Sequence, residues 1–287
     1  MTEKKKVSKT KYFLRRCCFV IILLFIIWRY NNYTLKTVST SLYSANIANP
    51  VRIALLSDLH AHNHSISNNN IVNKVEKINP DIVFVLGDMY TRRSEWNTIE
   101  IPVNLMSSLV EKGYPVYFVT GDHDTSKKYI SALQNAGVHV MNYREETIEV
   151  NNSRLKIMGI DNVYYSSTFD LTNEFNVDES CYNILLAHIP NYQKFAEFGA
   201  DLPVCADTHG GMVQFPFIGT MYDALTERWF PELTGGDPVY DKGWFEYEDG
   251  AMFITSGIGD YPYPVRFCNR PEIVSIDIIP EGCKNES

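Results

Sequence analysis

The chain has 287 residues, 45% apolar and 21% charged, with a formal charge of −8, which is enough to bury a large core and shows no bias toward disorder. Residues 1–34 hold eight Lys/Arg against Glu3 alone, a net of +7, so residues 35–287 carry −15. A region that acidic repels a phosphate backbone, which excludes general nucleic-acid binding and favours bound cations.

The basic start runs into residues 17–28 (CCFVIILLFIIW), which contain no charge and no breaker. As a helix this stretch spans about 18 Å, against a hydrocarbon core of about 30 Å. Arg16 and Arg29 flank it, with Trp28 and Tyr30 suited to an interface. No small-residue cleavage site follows closely, so residues 1–30 predict an uncleaved signal anchor, a single transmembrane helix. A cleaved and secreted form is the alternative. The positive-inside rule then leaves the N-terminus cytoplasmic and the remaining domain outside the cell membrane. Six cysteines are scattered without a C-x-x-C pair, so neither a zinc knuckle nor a dithiol motif is expected, and most read as small buried hydrophobes.

Residues 31–50, rich in Asn, Thr and Ser and ending at Pro50, read as a linker. Residues 51–57 (VRIALLS) form a nearly continuous apolar run that predicts a buried strand. Helical spacing covers 66–78, with Ser67 as its N-cap; 81–87 predicts a second strand; 95–113 is helical and stops at Gly113. A third strand at 115–121 precedes a helix over 126–137 that ends at Gly137. From residue 138 the pattern changes to short strands (VHVM, ETIEV, RLKIMGI, YNILLAH, LPVCA, AMFITSG, EIVSIDII), with one helix at 191–198. Alternating strands and helices give an α/β layered domain over 51–280, one sheet from each half, and a tail at 281–287.

Polar residues gather where these strands end: SDLH after the first, GD after the second, GDHD after the third, AHIP after NILL, and ADTHGG after LPV. Loops at the carboxyl ends of strands converge on ligand sites in α/β sheets. In an extended segment residues i and i+2 share a face, so Asp58 with His60, and Asp207 with His209, are each spaced to hold one ion. Gly87 and Gly121 let the backbone turn beside Asp88 and Asp122. Taken singly these motifs are turn chemistry; five together read as a metal site. His62 and His64 fall in an Asn/Ser-rich loop and read as solvated, and His139 on a strand reads as structural.

The order Asp-x-His, Gly-Asp, Gly-Asp-His-Asp, His, Asp-x-His over about residues 51–279 resembles the calcineurin-like metallophosphoesterases. THGG followed by FPFIG, and later SGIGDYPYPVRFCNRPEI, looks closest to their membrane-associated bacterial branch. The resemblance implies a four-layer α/β/β/α sandwich with two mixed sheets and two metals at the strand ends. It implies one metal on Asp58, His60, Asp88 and His209, and a second on Asp88, Asp122, His188 and Asp207. It implies His123 above the phosphate with Asp124 orienting its ring, and attack by a hydroxide bridging the two cations.

Asp122 stands where the family usually has Asn, and Asp207 where it usually has His. Both replacements still coordinate, and they harden the second site, which favours Mn²⁺, Mg²⁺ or Ca²⁺ over Zn²⁺, with Zn²⁺ and Fe kept as further candidate ions. Manganese is the first expectation. Arg92 and Arg93 either offset the added negative charge at a substrate phosphate or simply open the following helix in solvent; Arg266 reads as a structural ion-pair partner. The aromatic-rich segment 214–250 suggests a cleft for an amphiphilic, lipid-linked substrate. The expected activity is hydrolysis of a phosphodiester or pyrophosphate bond, with a catalytically weak docking module on the same fold as the alternative.

Overall fold

The computed structural model describes residues 9–161, 169–223 and 226–285; the basic residues at 4–6 and the last two of the expected tail lie outside them. Helix α1 covers Lys9–Tyr33, and the strands in chain order are β1 (Lys36–Ser44), β2 (Val51–Leu56), β3 (Ile82–Val85), β4 (Val116–Phe118), β5 (His139–Val140), β6 (Arg144–Val150), β7 (Ser153–Gly159), β8 (Tyr182–Leu186) and β9 (Leu202–Cys205). Four short strands follow as two hairpins, β10 (Gln214–Phe215) with β11 (Gly219–Thr220) and β12 (Tyr222–Asp223) with β13 (Arg228–Trp229); β14 (Gly243–Tyr247), β15 (Gly250–Ile254) and β16 (Glu272–Pro280) complete the set. The remaining helices are α2 (Asn68–Ile78), α3 (Trp96–Glu111), α4 (Lys127–Asn135), α5 (Tyr192–Phe198) and α6 (Pro231–Thr234).

Two six-stranded sheets result, ordered β1-β16-β2-β3-β4-β5 and β14-β15-β9-β8-β7-β6. Each is parallel through its centre. The first turns antiparallel in one pairing, β16 with β2; in the second, both flanks do so, β14 with β15 and β6 with β7. Strand alternation explains the layering. Ile53, Leu55, Phe84 and Leu86 point into a core shared with Leu155, Ile184, Leu186 and Val204 of the second sheet. Their neighbours Ala54, Leu56, Val83 and Val85 pack outward against α2, α3 and α4, through residues such as Val75, Leu105 and Leu133. On the far side, Leu185 and Ile254 pack against Phe195 and Phe198 of α5. The order is therefore α/β/β/α.

Four expectations change. The linker reading of 31–50 gives way to a strand over Lys36–Ser44, paired in parallel with β16 along its whole length. Its β-branched alternation places Val38 and Leu42 against the inter-sheet core. Residues 281–285 of the expected tail form a short 3₁₀ helix.

The single-pass anchor is also corrected. Among the described residues no helix is long and apolar enough to cross a membrane, so neither the transmembrane helix nor the membrane topology drawn from it stands. The physical reason lies at both ends of α1. Lys11, Arg15 and Arg16 interrupt its first turns, and its last turns belong to the fold. There the Trp28 indole donates to the Pro264 carbonyl at 2.6 Å, Asn31 Oδ1 accepts from Cys268 N at 2.9 Å, and Asn32 Oδ1 accepts from Arg266 N at 2.8 Å. Cys181 and Cys205 are buried, while Cys18, Cys268 and Cys283 are exposed, so burial of most thiols is not observed.

Candidate metal centre

Loops leaving β2, β3, β4, β8 and β9 meet at one end of the sandwich. The local backbone differs from the extended form expected for the two Asp-x-His pairs. Asp58 (φ 50°), His60 (41°), Asp88 (52°), Asp207 (67°) and His209 (50°) all adopt left-handed conformations. Each such residue costs of order 1–3 kcal/mol, and such strain collects at functional sites. The loops are laced together: Asp58 N donates to the Gly87 carbonyl and His60 N to the Asp88 carbonyl, each at 3.0 Å. Gly87 and Gly121 meet so closely that a Cβ on Gly87 would collide with the Gly121 backbone, and one on Gly121 with the Asp88 carboxylate.

Eight of the sequence-predicted side chains converge, the seven expected ligands and His123, which groups with His60 and Asp88. Asp58, His60 and His209 present one ligand atom each within 4.8 Å of one another, and so do Asp122, His188 and Asp207. Asp88 joins the two groups, its Oδ2 lying 3.6 Å from His60 Nε2 and 3.5 Å from His188 Nε2. His188 Nε2 is also 3.5 Å from Asp207 Oδ1, and His209 Nε2 is 3.9 Å from Asp58 Oδ1. Donors about 2.1 Å from a shared cation sit about 3.4 Å apart in a tetrahedral shell. These spacings are those of ligands around ions, too long for direct hydrogen bonds.

The buried polar atoms make the same point. Both Asp58 oxygens, both ring nitrogens of His60, and His188 Nε2 are buried without a hydrogen-bond partner. An unpaired buried carboxylate costs several kcal/mol, and a divalent cation removes that cost at once. His188 Nδ1 lies 2.6 Å from the Leu86 carbonyl, which fixes the proton there and leaves the Nε2 lone pair facing the cluster. The donor set of carboxylates and imidazoles fits divalent metal ions.

Charge follows burial. Desolvation pushes Asp58 up to about 7, with Asp88 and Asp207 adding to the rise and His188 opposing it. Burial also raises Asp88, but the imidazoles of His188 and His60 outweigh it and hold that carboxyl below its ordinary range. Desolvation disfavours charge on His188, yet Asp88, Asp207 and Asp58 raise it well above the usual imidazole value. Burial depresses His60 strongly, and burial with the Arg266 charge brings His209 down to about 3.

Two expected roles change. Asp124 does not reach the His123 ring: its carboxylate accepts from the backbone N–H groups of Asp88 at 2.6 Å, Gly121 at 2.9 Å and Met89 at 3.2 Å. It ties the loops of β3 and β4 together instead. The His123 ring is oriented by Arg92, whose backbone N–H donates to His123 Nδ1 at 2.8 Å. The Arg92 guanidinium donates to the Asp122 carbonyl at 2.6 Å and lies 3.8 Å from its carboxylate. Arg93 is exposed and makes no hydrogen bond or ion pair among the described residues. Arg266 is not an ion-pair partner: fully buried, it donates to the carbonyls of Ser256 and Gly259 at 2.6 and 2.7 Å, with Nη2 also 3.4 Å from His209 Nδ1.

Sequence reasoning missed the strand exit after β15. There Tyr261 stacks on His60 with centroids 4.5 Å apart and meets His123 edge-on at 4.8 Å. His62, read as solvated, bonds Asp260 at 3.1 Å beside them. His139 stacks on Tyr117 and bonds Glu146 at 3.0 Å, away from the centre. Of the 214–250 aromatics, Trp244 packs on Phe253 and Tyr240 on Tyr192, while Phe217 is fully exposed; none lines the cavity that opens beside His60.

The sequence profile of the calcineurin-like phosphoesterases matches residues 51–212. Phosphodiesterase YaeI of Escherichia coli is 24% identical over 243 residues, covering 81% of this chain and 83% of that protein. The uncharacterized metallophosphoesterase YkoQ of Bacillus subtilis is 24% identical over 230 residues, covering 78% and 82%. A putative metallophosphoesterase of Caenorhabditis elegans, F40B5.2, is 27% identical over 256 residues; these cover 82% of this chain and about half, 49%, of that protein. Among solved structures, the 5′-nucleotidase precursor of Thermus thermophilus overlays 74% of this chain and 50% of its own at a TM-score of 0.47 and 10% identity. With a profile match across more than half its length, the chain belongs to the calcineurin-like phosphoesterase family and is a metallophosphoesterase.

Proposed function

We propose that the protein hydrolyses a phosphodiester or pyrophosphate bond at a two-metal centre. Asp58, His60 and His209 hold one ion, Asp122, His188 and Asp207 the other, and Asp88 is shared. The carrying observation is the set of buried, partnerless ligand atoms on Asp58, His60 and His188. The name of YaeI, a phosphodiesterase, supports the ester class. A bound pair of divalent ions supplies positive charge for the phosphoryl oxygens and lowers the pKa of the attacking water. Three carboxylates around the second ion, Asp88, Asp122 and Asp207, favour manganese or magnesium over zinc.

His123 is the group that handles the leaving oxygen. Because its Nδ1 accepts from Arg92 N–H, its own proton resides on Nε2. That atom lies 3.9 Å from Asp88 Oδ2 and 4.0 Å from Asp122 Oδ1, at the edge of both ion sites. An Nε2–H there donates to a substrate oxygen and does not ligate. Arg92 is a positioning residue: its backbone sets the ring and its side chain balances Asp122. Asp124 holds the loops that carry Asp88 and Gly121.

The test uses the full chain with saturating Mn²⁺ and bis(p-nitrophenyl) phosphate. Metal-dependent release of nitrophenol, abolished by Asp88→Asn, is the expected result. Bound metal with no turnover of any phosphoester identifies a docking module and overturns the hydrolase reading.

A further inference from the structure

We infer that the cavity beside His60 is a subsite for an uncharged, ring-bearing ester arm of the substrate. This rests on the proposed phosphoesterase chemistry and narrows it to diesters over pyrophosphates. The cavity has a volume of about 320 Å³ and is continuous with the centre, because His60 forms part of its wall. A water-filled surface dent would need no such lining. Here the faces are flat: Tyr261, Pro262 and Pro264 from the loop after β15, and Tyr33 from the last turn of α1.

The position of Tyr261 makes the cavity a continuation of the reaction centre. Its ring stacks on His60 and touches His123 edge-on, so a group seated against it is separated by one ring from the residue proposed to serve the leaving oxygen. The loop carrying it is held from two sides. Trp28 and Asn32 of α1 bond Pro264 and Arg266, and Arg266 bonds the Gly259 carbonyl. A wall fixed this way is ordered before any ligand arrives, which lowers the entropic cost of binding.

Charge decides the class of arm. No Lys or Arg lines the cavity, and its one carboxylate, Asp260, is engaged by His62 at 3.1 Å. A second phosphate, as in a pyrophosphate, would enter beside a carboxylate with no Lys or Arg to pair it; of the lining imidazoles His60 is a proposed ligand and His62 holds Asp260, which leaves the exposed His64 alone to meet the charge. A planar ring with hydroxyl or amide donors instead stacks on Tyr261 and finds Asp260 as acceptor, each stacking contact adding about 0.5–1.5 kcal/mol.

The experiment compares ligands of equal charge. Binding of phenyl methylphosphonate and ethyl methylphosphonate to the Mn²⁺-loaded full chain is measured by calorimetry, beside turnover of bis(p-nitrophenyl) phosphate and of the ring-free monoester β-glycerophosphate. The phenyl compound is expected to bind at least fivefold tighter. Thr91→Tyr, which narrows the cavity from its rim, is expected to erase that preference. It should raise KM for the diester at least fivefold and leave kcat/KM for the monoester within twofold. Equal binding of the two phosphonates, or an equal loss on both substrates in the variant, overturns the subsite while leaving the hydrolase reading intact. A phenyl preference lost in Thr91→Tyr, with no turnover of either ester, keeps the subsite and removes the hydrolase reading.

Discussion

The two halves of the metal centre are built differently. Asp58 is fully buried, His60 is 2% exposed and His209 9%; in the other half His188 is fully buried too, but the side chains of Asp122 and Asp207 are 44% and 29% exposed. The buried half matches the pattern that the sequence resemblance implies; both departures from it, Asp122 and Asp207, fall in the open half. A buried ligand set must be complete, because any orphan charge there costs several kcal/mol. An open set tolerates exchange, since water screens a changed carboxylate and fills a vacant position. The contrast teaches where a changed ligand costs least: at the solvent edge of the cluster.

Substitutions sharpen that contrast. The largest effect is expected in the buried half. Asp58→Asn should lower kcat/KM at least ~10³-fold, about 4 kcal/mol, while raising the stability of the metal-free protein at pH 8 by at least ~1 kcal/mol, since it deletes an unpaired buried charge. Kinetics and thermal melts in chelator read the two signs independently. His123→Ala, at the boundary of the halves, should cut turnover about 10²–10⁴-fold with metal content unchanged by elemental analysis. A parallel loss of metal would make it a ligand.

Restoring the family residues tests the open half. Asp122→Asn with Asp207→His should change kcat by less than about tenfold and move the best activating ion from Mn²⁺ toward Zn²⁺. A collapse of activity with every ion would show that the open half is as unforgiving as the buried one.

Acidity gives a smaller, continuous effect. Asp58 titrates near 7 in the metal-free fold against about 3.9 in an unfolded chain. A raised carboxyl stabilises fully below the unfolded value and loses that contribution as pH rises through 7. Above pH 6.5 the depressed imidazoles of His60 and His209 are neutral in both states, so the Tm of metal-free protein should fall from pH 6.5 to 8, and the gain on adding Mn²⁺ should widen over the same range. A constant gain would mean that Asp58 is not the group being relieved. The smallest effect is expected far from the ions: Asn32→Ala removes its bond to Arg266 N and should cost about 1 kcal/mol of stability by denaturant melts.

The parts of this centre that repeat a local rule are legible in the sequence. Strands over 51–57 and 81–87 announce themselves as apolar runs, and Asp or His at five strand exits marks the meeting point. What the motifs cannot carry is set by residues distant in sequence. Asp124 sits one position from His123, yet its carboxylate answers backbone donors at residues 88, 89 and 121. The His123 ring takes its orientation from a backbone N–H thirty-one residues away, which no side-chain pattern encodes. Tyr261 is invisible because the strand before it ends without an acid or an imidazole among its first exit residues. The apolar run in α1 looks like a membrane span because the hydropathy of residues 17–28 says nothing of Trp28, Asn31 and Asn32 docking on a loop more than two hundred residues on.

Metal stoichiometry tests the two-ion centre most directly. After saturation with Mn²⁺ and desalting, elemental analysis of the full chain should find two ions per molecule, and one in Asp122→Ala with Asp207→Ala. A wild-type chain that retains none, or a double variant that loses both ions together, would contradict it.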